Sequence, residues 1–177
     1  MVLEVCISQE NEHRLRFRDA MASLSAAVNI VTTDGPAGRC GITATAVCSV
    51  TDSPPTLMVC INRNSAMNPV FQENGKLCVN VLNHQQELMA RHFAGMTGVS
   101  MEERFRQEEW RQGALGQPLL CNTLASLEGE IAQIQSIGTH QVYLVEIKQI
   151  VLSDSGHGLI YFKRNFHPVK HEMAALA

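Results

Sequence analysis

Short runs rich in β-branched residues make up most of the chain after residue 26, and turn signals separate them. Residues 28–33 precede an Asp-Gly-Pro turn, a long run covers residues 39–51, and further runs cover residues 77–82 and 141–152. Apolar runs bounded by Gly, Pro, Asn and Ser predict strands. About seven such strands, without an alternating strand-helix pattern, predict a mainly β protein: a closed antiparallel barrel of the Greek-key type with peripheral helices.

Three segments show the spacing of helices. Apolar residues recur at steps of three and four over residues 12–25, which predicts an amphipathic helix that packs on the core. The same spacing predicts a helix over residues 84–93. Residues 101–110 form a third helical stretch, which is highly charged and which we therefore expect to be exposed.

Residues 125–131 alternate apolar and polar side chains, which predicts a strand with one wet face. Glu128 and Glu130 share that face, where they are either a catalytic carboxylate pair or two solvated side chains. Residues 155–158, Ser-Gly-His-Gly, have the composition of a hairpin turn between two strands.

Length and charge limit the classes of protein that fit. A chain of 177 residues, 45% hydrophobic and 18% charged, is predicted to form one domain over residues 1–177 with its core at about 14–168. The net charge of -3 provides no basic surface for nucleic acid or an anionic membrane. No apolar stretch approaches the ~20 residues of a spanning helix, and the N-terminus lacks the basic start of a signal peptide. We therefore expect a cytoplasmic protein without nucleic-acid or membrane partners.

The six cysteines fall singly along the chain, without a Cys-x-x-Cys spacing, as expected for reduced thiols in the cytosol. Two further motifs, one for dinucleotide binding and one for zinc binding, are only partly present, because their residue spacing does not match. The Gly156-His-Gly start of a dinucleotide fingerprint has Tyr161 at its sixth position, and His84 and His92 lack the i, i+4 separation of zinc-binding helices. No metal site and no catalytic triad are predicted.

Two segments have the composition of a ligand site. Residues 41–51 combine small and hydroxyl side chains along a strand, which lets the backbone approach a flat ring closely and donate hydrogen bonds to its polar edge. Residues 62–65, Asn-Arg-Asn-Ser, form a polar loop with donors suited to a phosphate. Either segment alone is also typical of an ordinary edge strand or loop.

In this order, the segments resemble the flavin reductase family with the split-barrel fold, whose pattern runs G-[MI]-T-A-x-A, Ser-Val, Pro-Pro, Asn-x-x-Ser. The resemblance extends from Arg14 to Pro168. It implies a homodimer that binds FMN or FAD reversibly, reduces it with NADH, and passes reduced flavin by diffusion to a separate oxygenase. Such hydride transfer needs no protein nucleophile, because the flavin and nicotinamide carry the chemistry.

The resemblance also implies roles for individual residues. The residues that line the flavin ring and ribityl chain are Thr43, Ala44, Thr45, Ser49 and Val50, those that meet the phosphate are Asn62 and Ser65, and those on the nicotinamide side are His140 and Tyr161. Cys48 stands where the family commonly has a hydroxyl residue, and a thiol is a poorer donor, so a flavin contact there is open.

Two other functions fit the same fold. The chain could be a flavin-binding electron carrier or sensor that takes no hydride from a nicotinamide. It could also be an oxidase of the pyridoxamine-phosphate type, although the basic phosphate-binding residues of such an enzyme are not evident. The sequence leaves open the preferred flavin, the choice between NADH and NADPH, and the phenol that the partner oxygenase hydroxylates.

Overall fold

The computed structural model describes residues 2–170, with side chains from residue 9 onward. The helices are α1 (Val2–Met21), α2 (Asn68–Asn74), α3 (Glu87–Phe93) and α4 (Met101–Arg104), with a 3-10 helix at His84–Gln86. The strands are β1 (Ala26–Ala27), β2 (Asn29–Thr33), β3 (Cys40–Ala44), β4 (Val47–Asp52), β5 (Pro55–Asn62), β6 (Lys76–Val81), β7 (Trp110–Gln112), β8 (Pro118–Leu120), β9 (Ala125–Ile137), β10 (His140–Leu152), β11 (Gly158–Phe162) and β12 (Asn165–Val169). No helix within these residues is long and apolar enough to cross a membrane.

The largest sheet has seven antiparallel strands in the order β3-β2-β6-β9-β10-β5-β4. Its two edge strands, β3 and β4, follow each other in the chain and are joined only by Thr45 and Ala46. A two-residue link spans at most ~11 Å, whereas the edges of a flat seven-stranded sheet lie ~29 Å apart. The sheet must therefore curl until its two edges approach each other.

The mainly β fold with peripheral helices is confirmed, but barrel closure is not shown. Within the described residues, no ladder of hydrogen bonds joins β3 to β4. The prediction of a single long strand over residues 39–51 is wrong, because the chain leaves one edge of the sheet at Ala44 and joins the other at Val47. The link contains neither Gly nor Pro, so the sequence carries no signal for the break.

A second sheet has three strands in the order β1-β11-β12. The hairpin expected at residues 155–158 is wrong, because β11 pairs with β1 and β12 and has no ladder with β10. This segment instead carries the chain from one sheet to the other. The hairpin turn lies at Lys163 and Arg164, which both have positive φ angles, 49° and 63°, as a two-residue turn of this type requires.

The core has two parts. One fills the inside of the curled sheet with side chains from β2, β5, β6 and β10, among them the fully buried Tyr143 and Val145. The other lies between α3, β2 and β11 and includes Ile30, Phe93 and Leu159. The curled sheet is therefore covered by α3 on one side.

Two helical segments differ from expectation. The first helix is confirmed but begins at Val2, and it does not pack on the core: Phe17 on its apolar face is 60% exposed. The stretch over 101–110 is helical only to Arg104. Phe105 and Trp110 then turn inward and pack on Phe93, with ring centroids 5.2 and 5.6 Å from it.

The prediction that one face of β9 is exposed to solvent is partly wrong. Glu130 is exposed, but Glu128 is only 2% exposed. The loop between β7 and β8 covers Glu128, whose carboxylate accepts hydrogen bonds from the backbone N–H groups of Ala114 at 2.9 Å, Leu115 at 3.0 Å and Gln117 at 3.2 Å. Glu128 therefore holds this loop on the sheet and is neither solvated nor part of a carboxylate pair.

We expect Glu128→Gln to lower the free energy of unfolding by about 3 kcal/mol, because one amide oxygen replaces a carboxylate that satisfies three N–H groups. Urea unfolding followed by circular dichroism measures this loss. The matched control is Glu130→Gln, two residues along the same strand. Glu130 forms only an exposed ion pair with Lys76 at 3.9 Å, and losing that ion pair should lower the free energy of unfolding by less than about 1 kcal/mol. Equal losses in the two variants would contradict the role of Glu128.

Candidate ligand groove

A groove of about 380 Å³ opens at one end of the curled sheet. Its apolar floor comes from the inner face of the sheet, with Leu57, Val79, Val81, Leu127 and Ile147. Its rim is more polar and includes Ser49, Thr51, Asp52 and Thr56. An apolar floor with a few polar groups, in this range of volume, is typical of sites for small organic ligands.

Strand β4 forms one wall of the groove, and its register decides which side chains face it. Ser49 lies opposite the buried Leu57, so it points to the inner face, while Cys48 lies opposite Met58 on the outer face. Both residues border the groove, because β4 is an edge strand. Val50 is the extra residue of a bulge between Ser49 and Thr51 and is 52% exposed.

The residues before β4 hold the backbone in place. The Thr43 hydroxyl donates a hydrogen bond to the Ala90 carbonyl of α3 at 2.7 Å, which ties β3 to that helix. The Ala44 carbonyl accepts from the Asn29 side-chain amide at 3.2 Å. Thr45 is exposed in the link between the two strands, and its carbonyl accepts from the N–H of Val47 at 3.0 Å.

The loop after β5 is ordered by its own side chains. Asn62 accepts a hydrogen bond from the N–H of Asn64 at 2.9 Å through its side-chain oxygen, and its carbonyl accepts from the N–H of Ser65 at 3.0 Å. The Ser65 hydroxyl accepts from the N–H of Met67 at 3.3 Å. The loop therefore has a fixed shape, with Asn62 exposed at its start.

His140 begins β10 directly opposite Asn62. Its Nδ1 is 2.9 Å from the Thr139 hydroxyl, and the preceding Gly138 has a φ of 53°, which the tight turn requires. Ile147 in the groove floor is seven residues further along β10. A rise of roughly 3.3 Å per residue places His140 about 23 Å from it.

The structure therefore brings the predicted residues together in two groups. Asn62, Ser65 and His140 lie at one end of β5 and β10, and Ser49 lies in the groove toward the other end. Tyr161 is in neither group, because it belongs to the second sheet, where it pairs with Ala26 and packs on Phe166 at 5.0 Å between ring centroids.

Asn29 is a groove residue that the sequence reasoning missed. It is only 3% exposed and lies on β2 beside the groove. Its signal was present as a lone amide between Val28 and Ile30 in an apolar run. A buried polar side chain in such a run needs a specific partner, and that need distinguishes it from its neighbours.

The cysteines with described side chains are free thiols; Cys6 lies outside the described side chains. Cys48 and Cys60 share the outer face of β4 and β5, since Cys60 lies two residues beyond the partner of Cys48. Burial, and then the nearby Cys48 thiol, raise the pKa of Cys60. Burial raises the pKa of Cys40 to about 12, so Cys40 is an unreactive core thiol.

Comparisons with known proteins agree on one family. The model of the flavin reductase like domain matches residues 21–170. The reductase component of 4-hydroxyphenylacetate 3-monooxygenase from Escherichia coli is 77% identical over 167 residues, which cover 94% of this chain and 98% of that protein.

More distant relatives lead to the same family. An FMN reductase (NADH) of Cronobacter turicensis is 50% identical over 161 residues, covering 91% of this chain and 96% of that protein. Among solved structures, the NADH:FAD oxidoreductase of Streptomyces globisporus superimposes with a TM-score of 0.81 at 26% identity, covering 92% of this chain and 91% of that one.

Proposed function

The chain belongs to the flavin reductase family, and from that membership we propose that it is the reductase component of a two-component 4-hydroxyphenylacetate 3-monooxygenase. It is an NADH-dependent flavin reductase that supplies reduced FAD or FMN to a separate oxygenase in aromatic catabolism. The observation that carries this proposal is the high identity to reductase components of that name over almost the whole chain. The resemblance found in the sequence is thereby confirmed.

The flavin site of this proposal is the groove beside β4. The floor is apolar and open on one side, which suits a flat aromatic ring. In this arrangement Ser49, which lines the groove, borders the ring. The proposal adds Val50 and the backbone from Ala44 to Thr45, which are close to lining residues in the chain, with Thr43 tying β3 to α3. Bound there, the flavin supplies the chemistry by accepting a hydride from NADH.

The protein contributes position and electrostatics and no nucleophile of its own. Donors held at fixed places stabilise negative charge that grows on a reduced ring. The backbone N–H groups near the β4 bulge are held in this way, because β5 fixes the rest of β4 by its ladder. Asn62 and Ser65, in their ordered loop, provide the phosphate contacts of the proposal.

His140 and Tyr161 are the proposed nicotinamide-side residues. His140 is exposed and lies opposite Asn62, so it meets a ligand that extends past the phosphate loop. Tyr161 is half-buried on β11, one strand away from Ala27, which borders the groove. The two residues approach the site from different sheets.

The proposed assembly is a homodimer of single flavin reductase domains, each spanning residues 1–177 with a core at about 14–168. Two apolar surfaces support it. The face of α1 that carries Phe17 and Met21 is exposed, and α1 is tied to the body at its end, where Lys163 donates to the Ala22 carbonyl at 2.7 Å. The outer face of β5 and β10, which carries Met58 and Leu144, is only half-buried.

Within each protomer of the proposed dimer, β3 and β4 lie close to each other, because only Thr45 and Ala46 connect them. In the proposal this approach of the two edge strands completes a split barrel. The free thiols support a cytoplasmic location, because reducing compartments keep cysteines unpaired. Oxygenase and reductase are coupled by diffusing flavin, which requires reversible binding.

We expect anaerobic mixing of the protein with NADH and excess FMN or FAD to bleach the visible absorbance of the oxidised flavin, with one NADH oxidised per flavin reduced. The physical reason is hydride transfer between two bound ligands held in contact. Stopped-flow absorbance measures both species. Flavin that binds but stays oxidised would identify an electron carrier or sensor, and reduction by an amine in place of NADH would identify an oxidase.

We expect His140→Ala to lower kcat/KM for NADH by roughly 10- to 100-fold, because a hydrogen bond to a charged group contributes about 1.5–3 kcal/mol. The dissociation constant for flavin should stay within about twofold. Asn62→Ala is the matched variant from the opposite strand, and it should weaken flavin binding while leaving the NADH dependence at saturating flavin intact. If His140→Ala lowers only the melting temperature, His140 is a structural turn residue.

We expect sedimentation equilibrium to give twice the chain mass of 19.5 kDa. Phe17→Glu should raise the dimer dissociation constant by at least roughly tenfold, because it places a charge in an apolar interface. Glu12→Lys, on the opposite side of α1, is the control and should leave the constant unchanged. A fully active monomer at nanomolar concentration would contradict the proposed assembly.

A further inference from the structure

Asn29 is a polar residue in an apolar part of β2. It is 3% exposed, and its neighbours Val28 and Ile30 are fully buried. Burying an amide is unfavourable unless its hydrogen-bonding groups find partners. The partners of Asn29 therefore indicate why an amide stands at this position.

The nitrogen of the Asn29 amide is fully used. It donates to the carbonyl of Ala27 at 3.1 Å and to the carbonyl of Ala44 at 3.2 Å. Because carbonyl oxygens only accept hydrogen bonds, these two contacts fix which end of the amide is nitrogen. The side-chain oxygen Oδ1 is consequently the end that is directed away from both carbonyls.

No donor in the described part of the chain reaches Oδ1 of Asn29. The oxygen is also not sealed in the core, because the sealed side-chain atoms without a partner, over the same residues, are His84 Nδ1 and Trp110 Nε1. Asn29 borders the groove beside Val81. Its free acceptor therefore opens into the groove, where its partner is a ligand or solvent.

We propose that Asn29 Oδ1 accepts a hydrogen bond from the imide N–H, at N3, of the flavin ring; this rests on the proposed function, in which the flavin binds in this groove. The oxidised ring carries one N–H donor, N3–H, between two carbonyl oxygens. A single acceptor in an apolar floor matches that donor. It orients the ring with its pyrimidine edge toward β2 and its dimethylbenzene edge away.

The same amide connects the ligand to the backbone that surrounds it. Ala44 is the last residue of β3 before the link at Thr45 and Ala46, and Asn29 holds its carbonyl. Asn29 thus sets both the position of the ring edge and the point at which the link begins. A substitution at Asn29 is therefore expected to displace both the ring edge and the start of the link.

The experiment compares FMN with 3-methyl-FMN, in which a methyl group replaces the N3 hydrogen. Fluorescence titration gives the dissociation constant of each flavin for the wild-type protein and for Asn29→Ala. The control is Asn80→Ala, which removes another buried amide of the same curled sheet; Asn80 donates to the Ile30 carbonyl and does not border the groove. Circular dichroism establishes that each variant is folded.

For the wild-type protein we expect 3-methyl-FMN to bind at least about tenfold more weakly than FMN. In Asn29→Ala the difference should fall to within about twofold, since the acceptor is gone and the space it leaves admits the methyl group. Asn80→Ala should keep the wild-type difference. Should Asn29→Ala fail to fold, Asn29→Val, which also lacks a side-chain acceptor, replaces it, and the wild-type comparison of the two flavins stands without any variant.

Three results would overturn the assignment. Equal binding of both flavins by the wild-type protein means that N3 does not meet an acceptor, and an equal penalty in Asn29→Ala means that it meets a different one. A change confined to the KM for NADH in Asn29→Ala means that Oδ1 receives the nicotinamide carboxamide. If the folded wild-type protein does not bind FMN at all, the proposed function fails, and the assignment of Asn29 fails with it. The three results above differ from this one, because in each of them FMN binds.

Discussion

The two-residue link at Thr45 and Ala46 is the constraint on which the rest of this structure depends. Strands β3 and β4 lie at opposite edges of the seven-stranded sheet and yet are neighbours in the chain. The link is too short for a flat sheet, so the inner faces of the strands between the two edges must converge. Convergence buries the core on the inside, and the groove is lined by β4 and β5 on one side and by β2 and β6 on the other.

Buried and half-buried polar side chains connect the outlying elements to the curled sheet. Glu128 binds the loop between β7 and β8, Asn80 accepts a hydrogen bond from the N–H of Leu120 at 2.9 Å, and Thr43 binds α3. Each of them satisfies backbone groups of an element that the sheet's own ladders do not reach. Asn29 differs from these residues, because its nitrogen binds backbone while its oxygen has no partner among the residues whose side chains the structure describes. That difference separates a structural polar residue from a residue that binds a ligand.

The sequence predicts local features well and long-range ones poorly. The strands near residues 77–82 and 141–152 and the helix over residues 84–93 depend on neighbours in the chain, and the structure has the corresponding elements near those bounds. The break at Thr45, the exposure of α1 and the burial of Glu128 depend on which distant segment packs against them. Alternation cannot distinguish a wet strand face from one that a loop covers, so Glu128 and Glu130 have the same sequence signal.

The residues proposed for the site came from family resemblance. Their division between the groove and the His140 end follows from strand register, which a sequence does not display.

The groove also explains how a reductase of the proposed kind can release its product. Its floor is apolar, and apolar contact is non-directional, so oxidised and reduced rings gain similar stabilisation from it. Binding is then reversible as long as few polar contacts add to the apolar ones; a dissociation constant of 1 μM corresponds to only about 8 kcal/mol. The polar groups at the groove are few and lie mainly on its rim, at Ser49, Thr51 and Thr56, where solvent competes for them. Asn29 is the exception, being buried, and a single buried acceptor orients the ring without holding it so tightly that it cannot leave for the oxygenase.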